Sequence, residues 1–218
     1  MYFKNRAFAG QELATRLLER HPNEECAVIA LTDGAVLVGE QIAAALHAVI
    51  TMLVVEQIEV PGEGLIFGGV SQTGQFTYNS ELSSGEIEGY TSEYHGYLQE
   101  KKREAFQRIN RLIGDSGLID HDLLRDKVII LVSDGFADST VLDVALDFLK
   151  PVRVKRLVIA APVASERAVD RLHVVADELH ILDVKTNFFN TNHYYDDNEM
   201  PEHEDIIKRV SDIIASWR

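Results

Sequence analysis

Ala9, Leu13 and Leu17 recur every four positions near the start of the chain, with Ala14 and Leu18 beside them and charged residues on the opposite face. That period predicts a helix over 5–20, stopped by His21-Pro22-Asn23. Ala27-Val28-Ile29-Ala30-Leu31 has no polar position, the pattern of a strand buried on both faces of a parallel sheet. Thr32-Asp33-Gly34-Ala35 reads as a turn. A helix follows over 39–49 with Ile42, Ala45, Leu46 and Val49 on its apolar face, and Met52-Leu53-Val54-Val55 reads as a second buried strand. Residues 27–55 thus carry the rhythm of a βαβ unit.

The pattern then changes. Pro61-Gly62-Glu63-Gly64 breaks the chain, and 65–70 and 75–79 are predicted as short strands around a turn at 71–74. Residues 80–89 are polar, acidic and glycine-containing, and are expected to be a mobile loop. Over 92–113 the apolar positions Tyr94, Tyr97, Leu98, Phe106, Ile109, Leu112 and Ile113 are thinly spread, as on a charged helix lying over a surface. Buried strands are then predicted at 128–132, 156–161 (ended by Pro162) and 178–184, with helices at 141–149 and 166–176 between them. Residues 185–204 read as a polar, acidic and aromatic loop. Ile206, Ile207, Val210, Ile213, Ile214 and Trp217 mark a last helix. The expected fold is a single α/β domain over 1–218, an open and mostly parallel sheet flanked by helices, with a small flap or hood region at 80–113.

Composition narrows the partners. The chain has 218 residues, 46% hydrophobic and 26% charged, which suits one globular domain. Its 21 Lys and Arg against 35 Asp and Glu give a net charge of −14. Such a chain has no global field for nucleic acid or an anionic membrane, and it repels polyanions unless a local basic pocket opposes the field. No apolar run reaches a membrane span and the first residues lack a signal-peptide core, so a cytoplasmic location is expected. Cys26 is the single cysteine, which excludes an intramolecular disulfide and a multi-cysteine zinc site.

In open α/β sheets ligands bind beyond the C-terminal ends of the strands. Two loops stand there, Thr32–Ala35 and Ser133–Thr140. The second lies in Val128-Ile129-Ile130-Leu131-Val132-Ser133-Asp134-Gly135-Phe136-Ala137-Asp138-Ser139-Thr140-Val141. This stretch resembles the signature of the type I phosphoribosyltransferases, a hydrophobic run, two acidic residues and a turn ending in Thr-Gly-x-Thr. Further resemblances follow in order. Asn5-Arg6-Ala7-Phe8-Ala9-Gly10 is similar to the family's opening, Ala30-Leu31-Thr32-Asp33-Gly34-Ala35-Val36 to a pyrophosphate loop Ala-Leu-Pro-Arg-Gly-Gly-Val, and Glu56-Gln57-Ile58-Glu59-Val60-Pro61 to Arg-Lys-Ile-x-x-Pro. Ala160-Ala161-Pro162-Val163-Ala164, Ala176-Asp177-Glu178 and Tyr195 match later segments. The resemblance implies that Asp134, Gly135, Phe136, Ala137, Asp138, Ser139 and Thr140 stand at the loop for phosphoribosyl pyrophosphate (PRPP), and Thr32, Asp33, Gly34 and Ala35 at the pyrophosphate loop. It also implies a nucleotide or phosphoribosyl-like ligand, Mg²⁺ only if such a donor binds, and a homodimer, with 92–113 as a surface for it.

The departures weigh against that donor. Ser133 replaces the first acidic residue, Asp33 replaces an arginine, Glu56-Gln57 replaces the basic pair, and Asp138-Ser139-Thr140-Val141 replaces Thr-Gly-x-Thr. A carboxylate about 4 Å from a phosphate charge costs on the order of 4 kcal/mol at an effective dielectric near 20. The expectation is therefore a phosphoribosyltransferase-fold protein with a degenerate PRPP site, acting as a binding or regulatory protein. The alternative is an active, Mg-dependent transferase with an altered donor. No catalytic residue can be assigned. Asp138 can stand in for the missing 5′-phosphate by accepting from the amides of 140 or 141, and Asp138-Ser139-Thr140 is also an ordinary helix cap.

Other candidates have ordinary readings. His193-Tyr194-Tyr195-Asp196-Asp197-Asn198-Glu199 with His203 offers oxygen and imidazole donors, but its spacing fits no metal pattern and no metal is assigned. His47, His173 and His180 fall in helix or strand segments and read as structural. Phe188, Phe189, Tyr194 and Tyr195 can stack on a base or pack inward. Lys101-Lys102-Arg103, bracketed by Glu100 and Glu104, reads as a salt-bridged helix face.

Overall fold

A computed structural model describes residues 2–113, 119 and 121–216, with side chains as far as 213. The chain forms two compact units, Met1–Met52 with Ile119–Asp138 and Val152–Arg218, and Leu53–Leu118 with Ser139–Pro151.

The first unit is built on five parallel strands, β1 (Cys26–Ala30), β2 (Val49–Met52), β6 (Val128–Val132), β7 (Arg156–Ser165) and β8 (Glu178–Lys185), which lie in the order β2-β1-β6-β7-β8. Every residue of β1 and of β6 is buried, which is why neither shows a polar position. One face of this sheet, through Val28, Ala30, Ile130, Val132, Val158 and Ala160, packs on three helices: α1 (Arg6–Arg20), α2 (Asp33–Leu46) and α7 (His203–Ser216). α1 and α2 approach so closely that a Cβ on Gly10 would lie 2.6 Å from the Val38 carbonyl oxygen. The chain steps from β1 to β2 in one direction and from β6 through β7 to β8 in the other. Crossovers of this kind are right-handed, so α2 and α6 (Glu166–Val175) belong to opposite faces. The reversal falls between β1 and β6.

The second unit holds an antiparallel sheet, β3 (Val55–Val60), β4 (Leu65–Ser71) and β5 (Phe76–Tyr78), with α3 (Ser84–Glu93), α4 (His95–Ile113) and α5 (Thr140–Leu149). Ile58, Val60, Phe67 and Val70 pack there against Leu98, Ala105 and Ile109 of α4. The apolar face of α4 is therefore largely used within the unit, while Tyr97 and Phe106 stay exposed. Lys101 pairs with Glu104 as expected. Lys102 does not join that face: its Nζ sits 3.6 Å from the centroid of the Phe76 ring, and desolvation pushes its pKa down.

The open α/β architecture matches the sequence reading, and several boundaries move. Thr32–Ala35 is no free turn but the start of α2, with Thr32 as N-cap accepting from the Ala35 amide. The same helix stops at Leu46, short of the expected 49, because His47 adopts the left-handed conformation, φ 51°. The expected strand 52–55 divides between β2 and β3, which lie in different sheets. β7 continues through Pro162, since its pairing with β6 ends at Ala160 and the pairing with β8 skips the proline. Trp217 and the side chain of Ile214 lie outside the described residues.

The expected loop 80–89 is largely helical. Ser83 accepts from the Glu86 amide while the Glu86 carboxylate accepts from the Ser83 amide, a capping box that starts α3. No residue of α3 is buried. Its amides should exchange with solvent far sooner than those of β6, and Ser83→Ala should weaken α3 by about 1 kcal/mol. Hydrogen exchange followed residue by residue checks both. Protection of 84–93 as deep as that of 128–132 would contradict the expectation.

Candidate functional site

Ligand sites in open α/β sheets form where the strand order reverses, beyond the carboxyl ends of the strands. Here that point lies between the ends of β1 and β6, where Thr32 and Asp134 stand two residues past Ala30 and Val132.

Asp134 is 6% exposed, and both of its carboxylate oxygens are taken. Oδ1 accepts from Thr32 Oγ1 at 2.7 Å, and Oδ2 accepts from Arg6 Nε at 2.7 Å. Arg6 is 3% exposed. It opens α1, where a cation opposes the helix dipole and no acidic residue shares the first turn. Its remaining nitrogens reach Asn198 Oδ1 at 3.1 Å and Asn192 Oδ1 at 2.6 Å, and its guanidinium carbon lies 4.5 Å from the centroid of the Tyr195 ring. Tyr195 donates its hydroxyl to the Asp134 carbonyl oxygen at 2.6 Å. Burial, then the Asp134 charge, push this phenol far above its usual range, so it stays a donor. The approach leaves no room beside Asp134: a Cβ on Gly34 would stand 2.1 Å from Asp134 Oδ2 and 2.5 Å from Arg6 Nε.

The chain around the pair is arranged to hold it. Phe3 bridges to Tyr195 and its amide donates to the Tyr194 carbonyl at 2.8 Å, which fixes the segment leading to Arg6. Asn198 Nδ2 donates to the carbonyl oxygens of Asn192 and Tyr195. The expected acidic loop 185–204 is thus in part an ordered collar around Arg6. Tyr194 and Tyr195 are 3% exposed and face inward, while Phe189 is 72% exposed. Asp33 pairs with His203, whose Nδ1 donates at 2.7 Å. Beside the network a cleft of about 340 Å³ is lined by Asn5, Arg6, Leu37, Asp197, Glu199 and Met200, among others.

No family model matches the chain. Over 197 residues it is 27% identical to proteins named "Putative phosphoribosyl transferase" in two strains of Mycobacterium tuberculosis. The match takes in 88% of this chain and 43% of theirs, so the chain spans less than half the length of these curated relatives. Among solved structures, the TT1426 protein of Thermus thermophilus superposes at a TM-score of 0.75 and 24% identity, over 100% of this chain and 99% of that one. The AQ2163 protein of Aquifex aeolicus gives a TM-score of 0.50 at 12% identity, over 83% of this chain and 74% of that one. The fold is type I phosphoribosyltransferase-like.

In this phosphoribosyltransferase-like frame the expected loop residues take different places. Ala35 is buried and donates its amide to Thr32. The Gly135 amide donates to Ser133 Oγ at 3.2 Å, and the Phe136 amide to the Val163 carbonyl at 3.1 Å, so neither points to a ligand. Gly135 faces Thr191 closely, with 2.8 Å left between an added Cβ and Thr191 Oγ1. Ala137 is exposed and accepts from Ser165 Oγ at 2.9 Å, and Asp138 is half-buried. The N-cap of α5 is Ser139, one residue later than the expected Asp138, and its side chain makes no capping bond. Ser139 Oγ instead lies 3.4 Å from Asp143 Oδ2, and Thr140 is buried. Glu56, in the second unit, accepts from Arg108 Nε at 3.2 Å and Nη2 at 3.1 Å.

Sequence reasoning gave no site role to Arg6 or Asn192, and weighed Asn198 and His203 only as metal donors. Arg6 had a signal: an arginine directly before the apolar stripe of α1, inside the matched opening segment. The asparagines had none.

Removing one member of a buried ion pair costs about 3–5 kcal/mol, because the other is left charged and unpaired. Arg6→Met and Asp134→Leu should each lose about that much in urea unfolding, and the double variant should lose clearly less than the sum. Additive losses would mean the two side chains do not depend on each other.

Proposed function

We propose that this chain is a phosphoribosyltransferase-fold protein without transferase activity, serving as a binding or regulatory protein for a small molecule. The observation that carries the reading is the closed state of Asp134, with Arg6 on one oxygen and Thr32 on the other. A carboxylate engaged on both oxygens and only 6% exposed presents little surface to a ribose hydroxyl or a metal-bound water. The adjoining residues do not fit Mg²⁺-pyrophosphate either. Asp33 holds His203, and the neighbouring cleft sets Asp197 and Glu199 beside Arg6, whose charge Asp134 already balances. Such a lining disfavours a polyanion by several kcal/mol per close charge pair. Among the described residues no helix is long and apolar enough to cross a membrane, and the net charge of −14 argues against nucleic acid.

The rival reading is an active, Mg-dependent phosphoribosyltransferase using PRPP or an altered donor. It draws on the name that the Mycobacterium relatives carry. The two readings part on one assay. With PRPP, Mg²⁺ and a panel of nucleobases, no base-dependent release of pyrophosphate is expected. Release at an ordinary enzyme rate, on the order of 1–1,000 per second, would overturn the proposal in favour of its rival.

A further inference from the structure

The opposite end of the first unit's sheet carries a second cluster that no spacing motif announces. The C-cap of α1, His21, turns a fully buried imidazole inward. Its Nδ1 lies 3.0 Å from Glu24 Oε1. Glu24 also accepts from Lys155 Nζ at 2.5 Å and Arg156 Nη1 at 3.2 Å. A carboxylate so paired only accepts, so the proton sits on His21 Nδ1.

His21 Nε2 is then left buried without a hydrogen-bond partner. It faces Glu178 Oε2 at 3.4 Å. Glu178 opens β8, and His180, two residues on, projects from the same face of the strand. His180 Nε2 stands 3.6 Å from the same oxygen. Arg156 Nη1 binds the other oxygen, Oε1, at 3.0 Å, which turns Oε2 toward the two rings. Two nitrogens and an oxygen thus meet within 4.8 Å of one another. These spacings leave room for a cation between the donors, where otherwise only a ring proton would join each nitrogen to the carboxylate. Around a tetrahedral ion with bonds of about 2.0–2.2 Å, neighbouring donors stand roughly 3.3–3.6 Å apart, the range of the 3.4 and 3.6 Å found here.

We propose that His21, Glu178 and His180 bind a divalent transition-metal ion of the zinc type through two imidazole nitrogens and one carboxylate oxygen, with water as fourth ligand. Glu24 is the outer partner that fixes the His21 ring. Arg20 Nε, 3.4 Å from Glu178 Oε2 on a side chain 69% exposed, moves into solvent when the ion enters. The ion ties the end of α1 to the start of β8, away from Asp134, so its role is structural.

Titration of the metal-free full chain with Co²⁺ and then Zn²⁺ tests this. One equivalent of Co²⁺ should give the visible absorption of a tetrahedral site, displaced by Zn²⁺ with a dissociation constant on the order of 1 µM or below. Zn²⁺ should raise the unfolding temperature. Glu24→Gln should weaken binding by roughly 10–100-fold. The partly exposed His180→Gln should weaken it further while leaving the metal-free fold intact. Absence of stoichiometric binding at that strength would overturn the proposal. So would equal binding by His180→Gln, which would assign the ion to histidines elsewhere.

Discussion

A single buried ion pair, Arg6 with Asp134, constrains the first unit. An isolated guanidinium or carboxylate costs several kcal/mol to desolvate, so neither can be buried without the other and without further hydrogen bonds. That requirement reaches outward. Thr32 must cap α2 and donate to Asp134 at once, and Gly34 must lack a side chain. Asn192, Asn198 and Tyr195 must close around the guanidinium, and Phe3 must anchor the strand of chain that delivers it. The loop 192–198 is ordered because Arg6 needs it.

The pair sits where the sheet's strand order reverses, the place a ligand would use. The backbone frame of a phosphoribosyltransferase-like fold is present, and at this point of it Asp134 bonds to Arg6 and Thr32 of the same chain. On the proposed reading fold and activity separate, because the sheet is held by buried apolar strands and the loops at their ends can change without disturbing it. Asp33 with His203 and Glu56 with Arg108 are likewise engaged by side chains of the same unit.

The parallel sheet was legible because burial on both faces writes itself as uninterrupted apolar runs, as in 27–31 and 128–132. α3 was misread because its signal is a cap, Ser83 with Glu86, and not an apolar stripe. Pro162 misled because a proline ends a strand only where a donor is demanded, and beyond Ala160 β6 no longer demands one. At the site, Asp134 was visible as the residue ending a buried strand. Arg6 and the asparagines that hold it were not, since Arg6, Asn192 and Asn198 lie 128, 58 and 64 positions from Asp134 and only the fold joins them. The same holds for His21 and His180, brought together by β8.

The central claim is that Asp134 is occupied from within and unavailable to a phosphoribosyl donor. Calorimetric titration of the full chain with PRPP and Mg²⁺ tests it most directly. The account predicts no saturable heat at donor concentrations up to about 1 mM, corresponding to less than about 4 kcal/mol of binding free energy. Saturable, Mg-dependent binding on the order of 1 µM, abolished by Asp134→Asn, would show that Arg6 and Thr32 yield the carboxylate to a ligand and would contradict it.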